Sequence, residues 1–113
     1  MENFSVTMQL NENEKTLSVK VLGDIGTAEN LPAIRNEIDE KLLFNELNKV
    51  SFNLVDALPS EDIFGFLLGR YKKARQCGIR ITIEEVSEAM DRVLKVGGIY
   101  EIMPKEDNGE ASN

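Results

Sequence analysis

Four stretches of the chain alternate strictly between apolar and polar residues. Phe4, Val6, Met8 and Leu10 interleave with Ser5, Thr7 and Gln9, and Leu17, Val19 and Val21 flank Ser18 and Lys20. Val50, Phe52 and Leu54 flank Ser51 and Asn53, and Ile79, Ile81 and Ile83 interleave with Arg80, Thr82 and Glu84. A period of two places each apolar set on one face of a strand. The polar run Asn11-Glu12-Asn13-Glu14 separates the first two stretches and predicts a hairpin. Three other stretches have helical spacing. Leu31, Ile34, Ile38 and Leu42 form one stripe, with Asn30 at the cap position and Pro32 in the first turn. Ile63, Phe64, Leu67, Leu68, Tyr71 and Ala74 form a second, opened by Ser60, Glu61 and Asp62 and stopped by Gly78. Val86, Met90, Val93 and Leu94 form a third, with Ser87 and Glu88 at its start and Gly97-Gly98 at its end. Ile99, Tyr100 and Ile102 are expected to form a short final strand. Residues 1–104 then make one domain, and residues 105–113 a flexible polar tail.

The expected order is strand, strand, helix, strand, helix, strand, helix, strand. Strand–helix–strand units imply parallel pairing with right-handed crossovers. Parallel sheets covered on both faces read as continuous apolar runs, but these strands alternate. The reading that satisfies both facts is an α/β fold: a mixed sheet with helices packed mainly on one face and a polar, solvated face opposite. In that register Ile81 is buried and Thr82 is wet, so a carboxylate at Ile81 should unfold the domain and one at Thr82 should be tolerated.

Composition narrows the chemistry. The chain has 113 residues, 42% hydrophobic and 29% charged, which fits one globular domain. Its net charge of −7 argues against nucleic acid and against an anionic membrane surface. No apolar run approaches the roughly 20 residues that span a bilayer, and Met1-Glu2-Asn3-Phe4 does not look like a signal peptide. Cys77 is the single cysteine and has no internal disulfide partner; together these points favour a cytoplasmic location. With no histidine, His/Cys zinc sites and histidine-based triads are excluded. Neither the phosphate-binding loop nor the dinucleotide glycine fingerprint is present. No catalytic residue, metal site or cofactor is expected, and the chain reads as a non-enzyme. Cys77 is expected to be half-buried, and Met90 to lie in the core.

Several segments carry a resemblance. Gly23-Asp24-Ile25-Gly26 follows the second strand, and Asn30-Leu31-Pro32-Ala33-Ile34-Arg35 opens the first helix. Gly65-Phe66-Leu67-Leu68-Gly69-Arg70-Tyr71-Lys72 lies in the second. Ser87 to Leu94 and then Gly98-Ile99-Tyr100-Glu101-Ile102 close the sequence of elements. In this order and spacing they resemble a STAS domain, the fold of sulphate transporters and anti-sigma factor antagonists, over roughly residues 4–103. The resemblance implies a bacterial protein-interaction domain of a partner-switching pathway that regulates transcription. It implies as partner an anti-sigma factor or serine kinase-like protein. A second use of stand-alone STAS domains is as adaptor subunit of a lipid-transport ABC system. A different reading is binding of a nucleotide or other anionic ligand at the start of the second helix.

The departures fall on the functional loop. STAS antagonists carry Asp-Ser-x-Gly there, and a kinase phosphorylates the serine. Reading back from Gly65 without a gap, Ser60 takes the place of the Asp, Glu61 that of the Ser, and Ile63 that of the Gly. A shifted gap places Ser60 itself at the phosphorylation position. In the earlier turn, Gly26 replaces a second acidic residue. The resemblance therefore implies a partner-binding surface of Asp24, Ser60, Glu61, Asp62, Ile63 and an exposed Phe64 or Phe66, without the usual serine switch. Ser60, Glu61 and Asp62 are also what any helix start prefers, through capping and the helix dipole.

Overall fold

The computed structural model describes residues 3–106. Its elements are β1 (Phe4–Asn11), β2 (Thr16–Gly23), a 3-10 turn (Ile25–Thr27), α1 (Leu31–Phe44), β3 (Lys49–Ala57), α2 (Asp62–Gln76), β4 (Arg80–Val86), α3 (Glu88–Val96) and a second 3-10 turn (Ile99–Glu101). The strands lie in the order β1-β2-β3-β4. The hairpin pairs Phe4 with Gly23 through Asn11 with Thr16, antiparallel and without a break. β3 pairs in parallel with both β2 and β4. The mixed sheet, the hairpin start and all three helices match the expectation.

The alternation carries through to packing. Leu17, Val19, Val21, Val50, Phe52, Leu54, Ile81 and Ile83 join the buried residues of the helices in one core. α1 contributes Ile38 and Leu42, α2 contributes Ile63, Phe66, Leu67 and Ala74, and α3 contributes Met90 and Leu94. Phe66 meets Phe4 and Phe52 edge-on, with ring centroids 6.1 and 6.2 Å apart. α1 and α2 are joined by a part-buried pair: Arg70 Nε donates to Asp39 Oδ1 at 2.6 Å and Nη2 to Oδ2 at 3.1 Å. Ser87 caps α3 by accepting the Met90 N–H, as its position at the start of that stripe suggests. No helix among the described residues is long and apolar enough to cross a membrane. Cys77 is exposed rather than half-buried, because α2 ends before it and turns it outward.

Two expectations need correction at the C-terminal end. Ile99, Tyr100 and Ile102 do not form a strand. The Ile99 carbonyl accepts the N–H groups of Ile102 and Met103, and the resulting turn buries Ile99 and Met103 together. The chain then runs beside β4: Ile83 N–H donates to the Pro104 carbonyl and Glu106 N–H to the Ile83 carbonyl. Lys105 and Glu106 are therefore paired to the sheet, while the rest of the expected tail, residues 107–113, lies outside the described residues.

A third correction concerns the polar face, which is not uniformly wet. Ser51 and Thr82 are only 4% and 6% exposed. The Glu106 carboxylate lies over them, accepting from the Thr82 hydroxyl, standing 3.0 Å from Ser51 Oγ and pairing with Lys49 Nζ at 3.1 Å. Ser51 Oγ also stands 3.3 Å from Glu84 Oε1. A carboxylate introduced at Thr82 would face Glu106 in a covered site, so Thr82→Asp is destabilising, contrary to the sequence expectation. Burial alone would raise the Glu106 pKa, but the contacts from Thr82, Lys49 and Ser51 outweigh it and hold the group below its ordinary 4.5.

A depressed carboxyl contributes stability that is present above its unfolded-state pKa and lost as pH falls through the folded value. Glu106→Gln should therefore unfold at lower denaturant than the wild type at neutral pH. The gap should close as pH falls below 4.5. Denaturant titrations across that range, followed by circular dichroism, measure it.

Candidate functional site

Two loops meet at the start of α2. The first follows β2. Gly23 adopts φ +86°, and a Cβ there would stand 1.6 Å from the Asn3 carbonyl oxygen, so the close crossing of Asn3 requires glycine. Asp24 N–H donates to that same oxygen at 2.9 Å. The Asp24 carboxylate then turns inward on its own loop and accepts the Gly26 N–H at 2.9 Å. Thr27 Oγ1 donates to the Asp24 carbonyl at 2.7 Å and accepts from Asn3 N–H at 3.1 Å.

The second loop follows β3. Leu58 N–H donates to the Gly23 carbonyl at 2.9 Å, which fastens the two loops together. Ser60 Oγ accepts the Asp62 N–H at 3.1 Å, and the Ser60 carbonyl accepts the Ile63 N–H at 3.2 Å. Glu61 occupies the position immediately before the helix but makes no side-chain capping bond. The cap is thus supplied one residue earlier, by Ser60. Its hydroxyl occupies one of the free N–H groups that every helix start presents.

Each residue expected at the surface has a definite place. Glu61 and Asp62 are exposed, Ser60 and Asp24 half-buried. Asp62 Oδ2 lies 3.6 Å from where a Cβ on Gly26 would stand, so the structure brings the Asp24 turn and the α2 start together. Three carboxylates therefore cluster around one helix N-terminus. Ile63 does not join them: it is 1% exposed and packs in the core, which removes it as a surface anchor. Of the two phenylalanines, Phe66 is buried and Phe64 is half-buried.

Sequence reasoning missed the wall beside Phe64. The edge of its ring lies against Gly97, where an added Cβ would meet Phe64 Cζ at 2.3 Å. Glu61, Phe64, Arg92, Val93, Val96 and Gly97 line one shallow, mainly apolar depression, and Val96 is 91% exposed. Gly97 had a signal in the sequence but read only as a helix stop. Farther along this part of the chain, Asp91 accepts from the Tyr100 hydroxyl at 2.6 Å and from Lys95 at 3.1 Å, with Lys105 at 3.5 Å. The Tyr100 hydrogen bond and the lysines hold the Asp91 pKa below its ordinary value against the effect of burial. Burial, together with the Asp91 hydrogen bond, pushes the Tyr100 pKa up.

No protein-family profile matches the chain. Solved structures do. The chain is similar to the anti-sigma factor antagonist SpoIIAA in its unphosphorylated form, with TM-score 0.75 and 16% identity, over 95% of this chain and 92% of that one. The fold is the STAS fold. The Bacillus cell fate determinant SpoIIAA in the phosphorylated form matches with TM-score 0.65 and 18% identity, over 95% of this chain and 96% of that one. An anti-sigma factor antagonist from Mycobacterium paratuberculosis matches with TM-score 0.71 and 16% identity, over 94% of this chain and 89% of that one. Shared STAS architecture at such low identity fixes the fold, and leaves the chemistry of each loop to be read from this chain's own residues.

The Ser60 cap generates a direct expectation. Ser60→Ala should destabilise the domain by about 1 kcal/mol, lowering the melting temperature by roughly 5 °C for a domain of this size. Thermal unfolding followed at 222 nm checks this, and an unchanged midpoint would show that the cap contributes nothing.

Proposed function

We propose that this chain is a non-enzymatic protein-interaction domain of the anti-sigma-antagonist kind. Its docking surface is the start of α2, and it works without a serine phosphorylation switch. The observation that carries the reading is the engagement of Ser60 Oγ with the Asp62 N–H, beside the exposed carboxylates of Glu61 and Asp62. The loop's one hydroxyl, at the switch position only if the gap is shifted, accepts a helix N–H, and the ungapped alignment puts Glu61 there instead. The negative charge that phosphorylation would add is already present in part: a phosphate carries about −1.5 to −2, a carboxylate −1.

The partner on this reading is an anti-sigma factor or a serine kinase-like protein. SpoIIAA is an anti-sigma factor antagonist described in both phosphorylated and unphosphorylated forms, and the similarity covers 92% and 96% of those two chains. Ile63 lies in the core where STAS antagonists carry a loop glycine, so this loop is held by packing as well as by its cap. Asp24, Glu61 and Asp62 together weigh against a nucleotide or other anionic ligand at the same place, since like charges repel there. A partner surface complementary to this one carries cationic side chains facing Glu61 and Asp62.

Charge reversal at this surface tests the reading. With the purified partner, Glu61→Lys should weaken the complex about tenfold or more while moving the melting temperature little. Lys20→Glu, on the polar sheet face, should leave the affinity unchanged. Isothermal titration of both variants decides the matter. Loss of binding with Lys20→Glu and none with Glu61→Lys would move the interface to the sheet.

A further inference from the structure

The two ends of α2 differ in charge. Its start gathers carboxylates, but from Ile63 through Ile83 the chain carries no Asp or Glu and five cations: Arg70, Lys72, Lys73, Arg75 and Arg80. Arg70 is paired with Asp39. Among the described residues the other four form no ion pair, in a chain of net charge −7. Lys73 and Arg75 complement the negative end of the helix dipole. Arg80 stands on β4 and has no such role. α2 spans 15 residues, about 22 Å. At physiological salt charges are screened over about 8 Å, so the acidic start does not cancel the field of the basic end.

A mainly apolar groove lies at that basic end, lined by Tyr71, Arg75, Ile79, Arg80, Ile102 and Pro104. Both arginines are exposed, and Ile102 is 40% exposed. Arg75 Nη1 donates to the Tyr71 hydroxyl at 2.9 Å, which orients the guanidinium and leaves its other donors open. The groove also reaches Ile81 on the outer edge of β4. Ile83 uses both of its backbone groups on that edge, with Pro104 and Glu106. Backbone groups alternate sides along a strand, so those of Ile81 point to the same edge. Among the described residues nothing bonds them there.

We propose that this groove docks an extended acidic segment of a partner protein. The segment's backbone pairs with Ile81, its carboxylates meet Arg75 and Arg80, and an apolar side chain fills the groove. Three observations select that occupant. The two unpaired guanidinium groups favour carboxylates, which they bind through paired N–H bonds, over a neutral or basic strand. The open backbone groups of Ile81 call for a peptide, which a lipid headgroup does not replace. The volume, about 270 Å³, lies below the roughly 300–1,000 Å³ of small-molecule cavities and suits one or two side chains. The surface lies at the opposite end of α2 from the one in the proposed function and does not rest on that reading.

Titration of the isotope-labelled chain with a heptapeptide of alternating Glu and Val, followed by amide chemical shifts, tests it. The expected result is saturable binding that shifts the Ile81 amide and weakens with salt. Arg75→Glu and Arg80→Glu should each weaken it about tenfold. Lys41→Glu, the same charge change at an exposed position on α1, should not, and neither should Glu61→Lys at the start of α2. A heptapeptide of alternating Ser and Val should bind at least about tenfold more weakly than the acidic one. Should Arg75→Glu disturb the fold, Arg80→Glu alone decides. No shift at millimolar acidic peptide overturns the proposal, as does equal binding of the Ser peptide or equal loss with Lys41→Glu. Arginine-dependent binding to phosphatidylserine vesicles without binding of the acidic peptide overturns it too, and makes the basic end a membrane contact.

Discussion

The guanidinium of Arg70 reaches from the middle of α2 to the carboxylate of Asp39 on α1, and the candidate surface depends on that contact. Both parallel nitrogen–oxygen bonds are made, a third goes from Nη1 to the Phe66 carbonyl at 3.2 Å, and the guanidinium lies 5.7 Å from the centroid of the Phe66 ring. Arg70 is 7% exposed. A buried charge so placed is tolerated only because its donors are satisfied. Removing one partner of such a pair typically costs about 3–5 kcal/mol, although a well-packed apolar replacement of both can be neutral. The pair therefore contributes position more than net stability: it fixes how α2 lies against α1, and with it the direction in which the α2 start points. Phe66, stacked under the guanidinium, carries the same constraint into the core through its edge contacts with Phe4 and Phe52.

With α2 fixed, the surface at its start is built by backbone bonds more than by side chains. Asn3, Gly23 and Leu58 tie the β2 and β3 loops into one unit. Asp24 Oδ1 and Ser60 Oγ each accept a nearby backbone N–H. Glu61 and Asp62 remain exposed, next to the apolar wall of Phe64, Val93 and Val96. An apolar depression rimmed by charge is the usual composition of a protein-docking patch. These bonds fix the geometry of both loops at the helix start.

Most of the fold was legible because it rests on local periodicity. Strict alternation identified the strands, and the residues so assigned, from Leu17 to Ile83, are the ones that form the core. The cap at Ser87 and the carboxylates beside Ser60 were legible for the same reason, since their partners lie two or three residues away. What was not legible depends on distant contacts. Glu106 reads as part of a polar tail because Ser51 lies 55 residues before it and Thr82 24. The row Ile99, Tyr100, Ile102 reads as a strand because its alternation is imperfect only at one place; the turn is set instead by burial of Ile99 with Met103. Ile63 reads as a surface anchor because it follows Ser60 and the two exposed carboxylates, yet one further step round the helix turns it into the core. Gly97 reads as punctuation, and only the position of Phe64, over thirty residues earlier, shows why a side chain does not fit there.

The central claim is that Ser60 is a structural cap and not a phosphorylation site. Mass spectrometry of the protein isolated from its own growing cells tests this most directly. The account predicts an intact mass equal to the unmodified chain and fragment ions that carry no phosphate on Ser60, with or without added ATP in the extract. Stoichiometric phosphoserine at Ser60 would contradict it.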